Sequence, residues 1–133
     1  MLRFAKLWLT LGWILIALIV LLSLWPVRPQ VIVFGHTVGG KFEHLIAYLV
    51  LMLWLANIYP QKSQRLWLSA GLIAIGMCLE FLQSMIPGRR FFYTDMIYSV
   101  VGVLIGLVLT KTFLSMCLLR FDAWLTHVRQ KAK

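Results

Sequence analysis

Acid is the scarcest chemistry in this chain. Of 133 residues only four are Asp or Glu, against thirteen Lys or Arg, for a formal net charge of +9. Charged residues of both signs reach 13%, about half the ~25% of a soluble domain. A soluble core this small has too much surface to cover with so few charges. Cysteine is nearly absent as well. Cys78 and Cys117 stand alone in apolar stretches without C-x-x-C spacing, which excludes a disulfide framework and a thiolate metal centre; both read as small buried hydrophobes. No GxSxG elbow, HExxH helix or Walker loop occurs, so a ready-made nucleophile, zinc or nucleotide motif is missing. Internal repeats and low-complexity tracts are missing too. Nor is there an aromatic-basic platform of the kind that stacks bases, so the positive charge does not point to nucleic acid.

What is abundant is apolar surface: 62% of the residues are hydrophobic, and the bilayer is the natural solvent for that surplus. Leu7 to Trp25 is nineteen residues without a charge, close to the ~20 that cross a hydrocarbon core. Arg3 and Lys6 precede it, as they would a signal peptide, but the run exceeds the ~7–15 residues of a signal core and no A-x-A site follows. It reads as a retained span. Pro26, Pro29 and Gly35 then break the helix. A second span runs from about 42 to 59 and stops at Pro60. The polar turn Gln61-Lys62-Ser63-Gln64-Arg65 is short enough to demand an antiparallel neighbour. The third span covers about 66–86 and ends at Pro87-Gly88; the fourth covers about 95–111. In the tail, 113–133, Leu114, Cys117, Leu118, Phe121, Leu125 and Val128 recur at helical spacing, while Arg120, Asp122, Arg129 and Lys131 avoid that stripe. This is the pattern of an amphipathic helix on a membrane surface, meeting anionic headgroups. The expected fold is an all-α membrane protein, a four-transmembrane-helix bundle with a C-terminal amphipathic interfacial helix, forming one domain over 1–133.

Charge sets the orientation. With both termini inside, the inner side carries Arg3, Lys6, Lys62, Arg65, Lys111, Arg120, Arg129, Lys131 and Lys133. The outer side carries Arg28, Lys41, Arg89 and Arg90, so the inner excess satisfies the positive-inside rule. Trp8, Trp25 and Trp67 fall near span ends, where interfacial aromatics belong. Glu43, Glu80 and Asp95, with His36, His44 and Gln83, then all fall on the outer half.

An ionisable group inside a span is costly and marks a functional site by default. Glu80 lies seven residues before Pro87, about 10 Å below the outer end of its helix. Gln83 shares its face at i+3, and Gly76 at i−4 opens that face to a neighbouring helix. Lys41, His44 and Tyr48 share one face of the second span. Asp95, Ser99, Gly102 and Gly106 form a polar-to-small stripe on the fourth. Arg89 and Arg90 supply cations at the outer rim. Two readings follow: a ligand or catalytic site, or a buried polar network that pins the helices, with Glu80 pairing Arg89 or His44 and Asp95 pairing Lys41 or Arg90. A metal site from His36, Glu43 and His44 matches no ligand spacing, so neither a metal nor a cofactor is expected.

Lys41-x-x-His44 leading into Ala47-Tyr48, then Glu80-x-x-Gln83, Pro87-Gly88-Arg89, Asp95 and Gly102-x-x-x-Gly106 resemble the VanZ-like family over about residues 40–110. That family consists of small bacterial membrane proteins and takes its name from a protein conferring low-level resistance to the glycopeptide teicoplanin. The resemblance implies Lys41, His44, Tyr48, Glu80, Gln83, Arg89 and Asp95 as the characteristic polar set. It also implies residence in a bacterial cytoplasmic membrane. Two positions depart from the pattern: Gly40 replaces the acid that usually precedes the lysine, and Ser99 replaces an asparagine. The function expected first is binding of a cell-envelope ligand, a lipid-linked precursor or a glycopeptide or lipopeptide antibiotic, in an outward-facing pocket. Arg89, Arg90 and Lys41 would form its cationic rim. The alternative is a membrane enzyme acting on a lipid-linked phosphate or ester, with His44 or Glu80 as general acid–base. An oligomeric small transporter ranks last, because no charged path crosses the membrane.

Overall fold

A computed structural model of the chain describes residues 4–24, 32–33, 36–37, 41–87, 93–112 and 117–131. The described residues fold into five helices: α1 (Ala5–Leu24), α2 (Lys41–Ile58), α3 (Lys62–Ser84), α4 (Tyr93–Leu109) and α5 (Cys117–Lys131). Between α1 and α2, Ile32–Val33 (β1) pairs antiparallel with His36–Thr37 (β2), a two-residue ladder in what reads from sequence as plain loop. Helices α1, α2 and α3 are long and apolar enough to cross a membrane, and α4 is apolar but shorter, at 17 residues.

Burial runs opposite to that of a water-soluble protein. Leu18, Leu21, Leu22, Ile46, Phe81 and Val108 are exposed, while Glu80, Gln83, Asp95 and Ser99 are buried. Soluble proteins rarely expose so much contiguous apolar surface, and a polar interior inside an apolar shell suits a hydrocarbon solvent. Cys78 belongs to this outer surface: it is exposed, not buried as its apolar setting suggests, because residues flanking the inward Leu79–Glu80 pair turn outward on the helix.

Helix α2 is central and packs most extensively against α4. Two glycines set that contact. A Cβ on Gly102 would fall 2.4 Å from the Leu45 carbonyl oxygen, and one on Gly106 would fall 2.7 Å from Met52 Cβ. Only a bare backbone permits the approach, as in other small-x-x-x-small helix pairs. Tyr48, Leu51, Met52, Leu55, Ala56, Leu72 and Val103 form the core, with Leu15, Ile16 and Ile19 of α1 against it.

The two ends of the bundle are closed differently. At one end α3 starts at Lys62, so the polar segment expected to be a turn is already helical from its second residue, with Gln61 extended before it. This aims Arg65 back across the helix ends. Its guanidinium donates to the carbonyls of Ala56 at 3.1 Å, Tyr59 at 3.3 Å and Thr110 at 3.2 Å. One side chain thus satisfies C-terminal carbonyls of both α2 and α4, where a cation also complements the helix dipoles. At the same end Asp122 of α5 is buried and accepts hydrogen bonds from Trp8 Nε1 at 2.7 Å and from the Phe4 amide at 3.2 Å. Trp8, expected at an interface, is instead buried, edge-on to Trp54 and Phe121. The tail helix is therefore clasped to α1 through an acid that sequence reading assigns to the solvent face. The opposite end carries the polar cluster.

Candidate functional site

Helix polarity alone collects the polar residues. His44 lies in the first turn of α2, Asp95 in the first turn of α4, Glu80 and Gln83 in the last turns of α3, and Ser23 at the last turn of α1. In an up-and-down bundle these four helix ends share one rim. Glu80 is 2% exposed, Gln83 1% and Asp95 3%. One coordinating atom from each of His44, Glu80 and Asp95 lies within 4.8 Å of those of the other two, so side chains of three helices meet at one point.

The histidine is the hinge of the cluster. Its Nε2 faces Asp95 Oδ2 at 4.0 Å, and its Nδ1 lies 3.4 Å from Ser99 Oγ. Ser99 Oγ also donates to the Asp95 carbonyl at 3.0 Å, one turn back on α4. A hydroxyl has a single proton. With that proton on the carbonyl, Ser99 Oγ can accept from Nδ1–H, while Nε2 faces the Asp95 carboxylate. The imidazole stacks on the Tyr48 ring, centroids 6.4 Å apart and planes at 12°.

Tyr48 reaches deepest. It is 1% exposed, and its hydroxyl has no hydrogen-bond partner among the described residues. A Cβ on Gly76 would lie 3.2 Å from that hydroxyl and 3.3 Å from Ser99 Cβ, so Gly76 makes the space the phenol occupies between α3 and α4. The Glu80 carboxylate, one turn along from Gly76, is near enough to act electrostatically on the phenol. On the other side Gln83 Nε2 donates to the Ser23 carbonyl at 2.9 Å and to the Ser23 hydroxyl, tying α3 to α1.

The sequence-derived set is thus divided. His44, Tyr48, Glu80 and Asp95 are brought together, while Gln83 turns to Ser23 of α1. Asp95 faces His44 Nε2; Arg90, one of the partners expected for it, lies outside the described residues. Lys41 stands exposed at the start of α2. Arg89 and Arg90 lie outside the described residues, as do Gly40 and the His36 side chain. Glu43 is exposed and His44 half-buried; the side chain of the third member of the His36–Glu43–His44 metal set lies outside the described residues. Ser23 was missed; its signal was a lone hydroxyl near the end of an otherwise apolar span. Ser99, read from sequence as part of the fourth span's polar-to-small stripe and as a departure from a family pattern, lies against the imidazole.

An apolar cleft of about 400 Å³ opens elsewhere, between α1 and α3, lined by residues including Leu9, Trp13, Leu68, Gly71 and Ile75. Its lining has neither carboxylate nor imidazole. Comparison with protein-family models, with curated proteins and with solved structures returns no match.

Proposed function

We propose that this chain is a multi-pass protein of a bacterial cytoplasmic membrane, similar to the VanZ-like proteins, that binds the polar head of a cell-envelope ligand at the outer leaflet. Both termini are cytoplasmic in this reading, which follows the excess of Lys and Arg on the side of Lys62, Arg65 and Lys111. The observation that carries it is the meeting of His44, Glu80 and Asp95, from three helices, at one rim of an apolar-surfaced bundle. Ionisable groups are expensive inside a membrane and persist where they bind or react. The ligand class is a lipid-linked wall precursor or a glycopeptide or lipopeptide antibiotic. Its phosphate or carboxylate would meet the Lys41–Arg89 rim, and its hydroxyls or amides would meet His44, Glu80 and Gln83. Sequestering such a ligand would contribute to glycopeptide-type tolerance.

The test is equilibrium binding of labelled polyprenyl phosphate and of teicoplanin to the purified protein in nanodiscs. Arg89→Ala and Glu80→Gln should each weaken binding at least tenfold while the label stays chemically unchanged. Equal affinity in wild type and both variants would refute the reading.

A second reading has one specific observation in its favour. His44 is held between Ser99 and Asp95, as a general base is held by an orienting partner. Acid–base hydrolysis of a lipid-linked phosphate or ester would release product from the labelled substrate, and His44→Ala would abolish that release.

A further inference from the structure

The His44–Glu80–Asp95 cluster has the composition of a metal site as well as of a polar pocket. An imidazole nitrogen and two carboxylate oxygens, all within 4.8 Å of one another, come from α2, α3 and α4. Around one zinc-sized ion, donors at ~2.0–2.2 Å stand roughly 3.3–3.5 Å apart. Rotamer adjustments on the order of 1 Å close these three onto a common point. The histidine is placed for this: Ser99 Oγ lies 3.4 Å from Nδ1 and gives its own proton to the Asp95 carbonyl, so it can accept from Nδ1–H when Nε2 ligates an ion. Metal-bound histidines are held in this way, with the non-ligating nitrogen donating to a fixed partner. A second observation points to a ligand independently of the acids. The Tyr48 hydroxyl is buried, lacks a hydrogen-bond partner among the described residues, and is wedged at Gly76 one turn from Glu80. A water or anion completing the coordination of an ion would give that hydroxyl its partner.

We propose that His44, Glu80 and Asp95 bind a divalent transition-metal cation, with Ser99 orienting the histidine and Tyr48 hydrogen-bonded to the non-protein ligand. The imidazole favours zinc-like ions over magnesium or calcium, which prefer all-oxygen shells. Three protein donors leave coordination open to an exogenous oxygen, and the phosphate or carboxylate of the envelope ligand supplies one. The inference shares with the envelope-ligand reading the premise that this cluster is a site, but ion binding is measurable without that ligand.

Untagged protein in detergent is stripped with chelator, dialysed and titrated with Zn²⁺ by calorimetry and with Co²⁺ by visible absorption. Wild type should take up one ion per chain with a dissociation constant in the micromolar range or below, and Co²⁺ should show the d–d bands of a nitrogen-oxygen site. His44→Ala, Glu80→Gln and Asp95→Asn should each weaken binding at least tenfold, and His36→Ala should not. Ser99→Ala leaves every ligand in place and should weaken binding about tenfold, which keeps the test informative if a ligand variant fails to fold. Substoichiometric uptake by folded wild type, or a Co²⁺ spectrum unchanged across the ligand variants, overturns the proposal. Polyprenyl phosphate binding that persists at full strength in chelator, without ion uptake, would remove the metal and leave the envelope-ligand reading standing. Stoichiometric ion uptake without any affinity for polyprenyl phosphate or teicoplanin would do the reverse.

Discussion

Scarcity made the site residues legible one at a time. With four acids in the whole chain, Glu80 and Asp95 inside apolar runs could be singled out by cost alone, and helical spacing placed Gln83 and Tyr48 beside the expected faces. What spacing cannot give is which helix faces which, so the approach of His44 to Asp95 was not foreseen. A hydroxyl costs far less to bury than a charge and leaves little trace in hydropathy, so Ser23 became visible only through its contact with Gln83, and the approach of Ser99 to His44 was not foreseen. Tyr48 gives the sharpest test at this scale. Its buried hydroxyl lacks a protein partner among the described residues, so Tyr48→Phe should stabilise the ligand-free protein by about 1 kcal/mol, read as a higher midpoint of unfolding in detergent. A lower midpoint would mean that the hydroxyl is already satisfied. Glu80→Gln separates site from scaffold: a functional Glu80 predicts nearly unchanged melting with ligand binding lost, whereas a purely structural one predicts the loss of both.

At the scale of elements, the helices follow from apolar run length, Pro60 and the glycine stripe, and the sequence-derived boundaries differ from the observed ones mainly at α3. There the charged segment Lys62–Arg65 joins the helix because Arg65 finds carbonyl acceptors on two neighbouring helix ends, a tertiary reward that local polarity does not reveal. The Gly102-x-x-x-Gly106 pattern announced close packing, but its partner, the Leu45–Met52 face of α2, required coordinates. Two alanine substitutions test the difference between these glycines and an ordinary one. Gly102→Ala forces a Cβ toward the Leu45 carbonyl and should destabilise by about 1–3 kcal/mol. Gly71→Ala, with nothing within 4 Å of the new Cβ, should leave the melting midpoint unchanged or raise it slightly through helix propensity. Equal losses at both positions would deny the backbone contact between α2 and α4.

For the whole molecule the prediction concerns sidedness. In a cysteine-free background, Lys41→Cys should react with a membrane-impermeant maleimide in intact cells, and Lys62→Cys should react only after permeabilisation. The reverse pattern would turn the polar rim to the cytoplasm and exclude an outer-leaflet ligand. The clasp between Trp8 and Asp122 has a temporal consequence of its own. It joins residues 114 positions apart, so α1 is synthesised long before the acid that receives its indole proton. During that interval the indole N–H has no Asp122 carboxylate to donate to. The contact between α1 and α5 can therefore form only after every other helix has been synthesised.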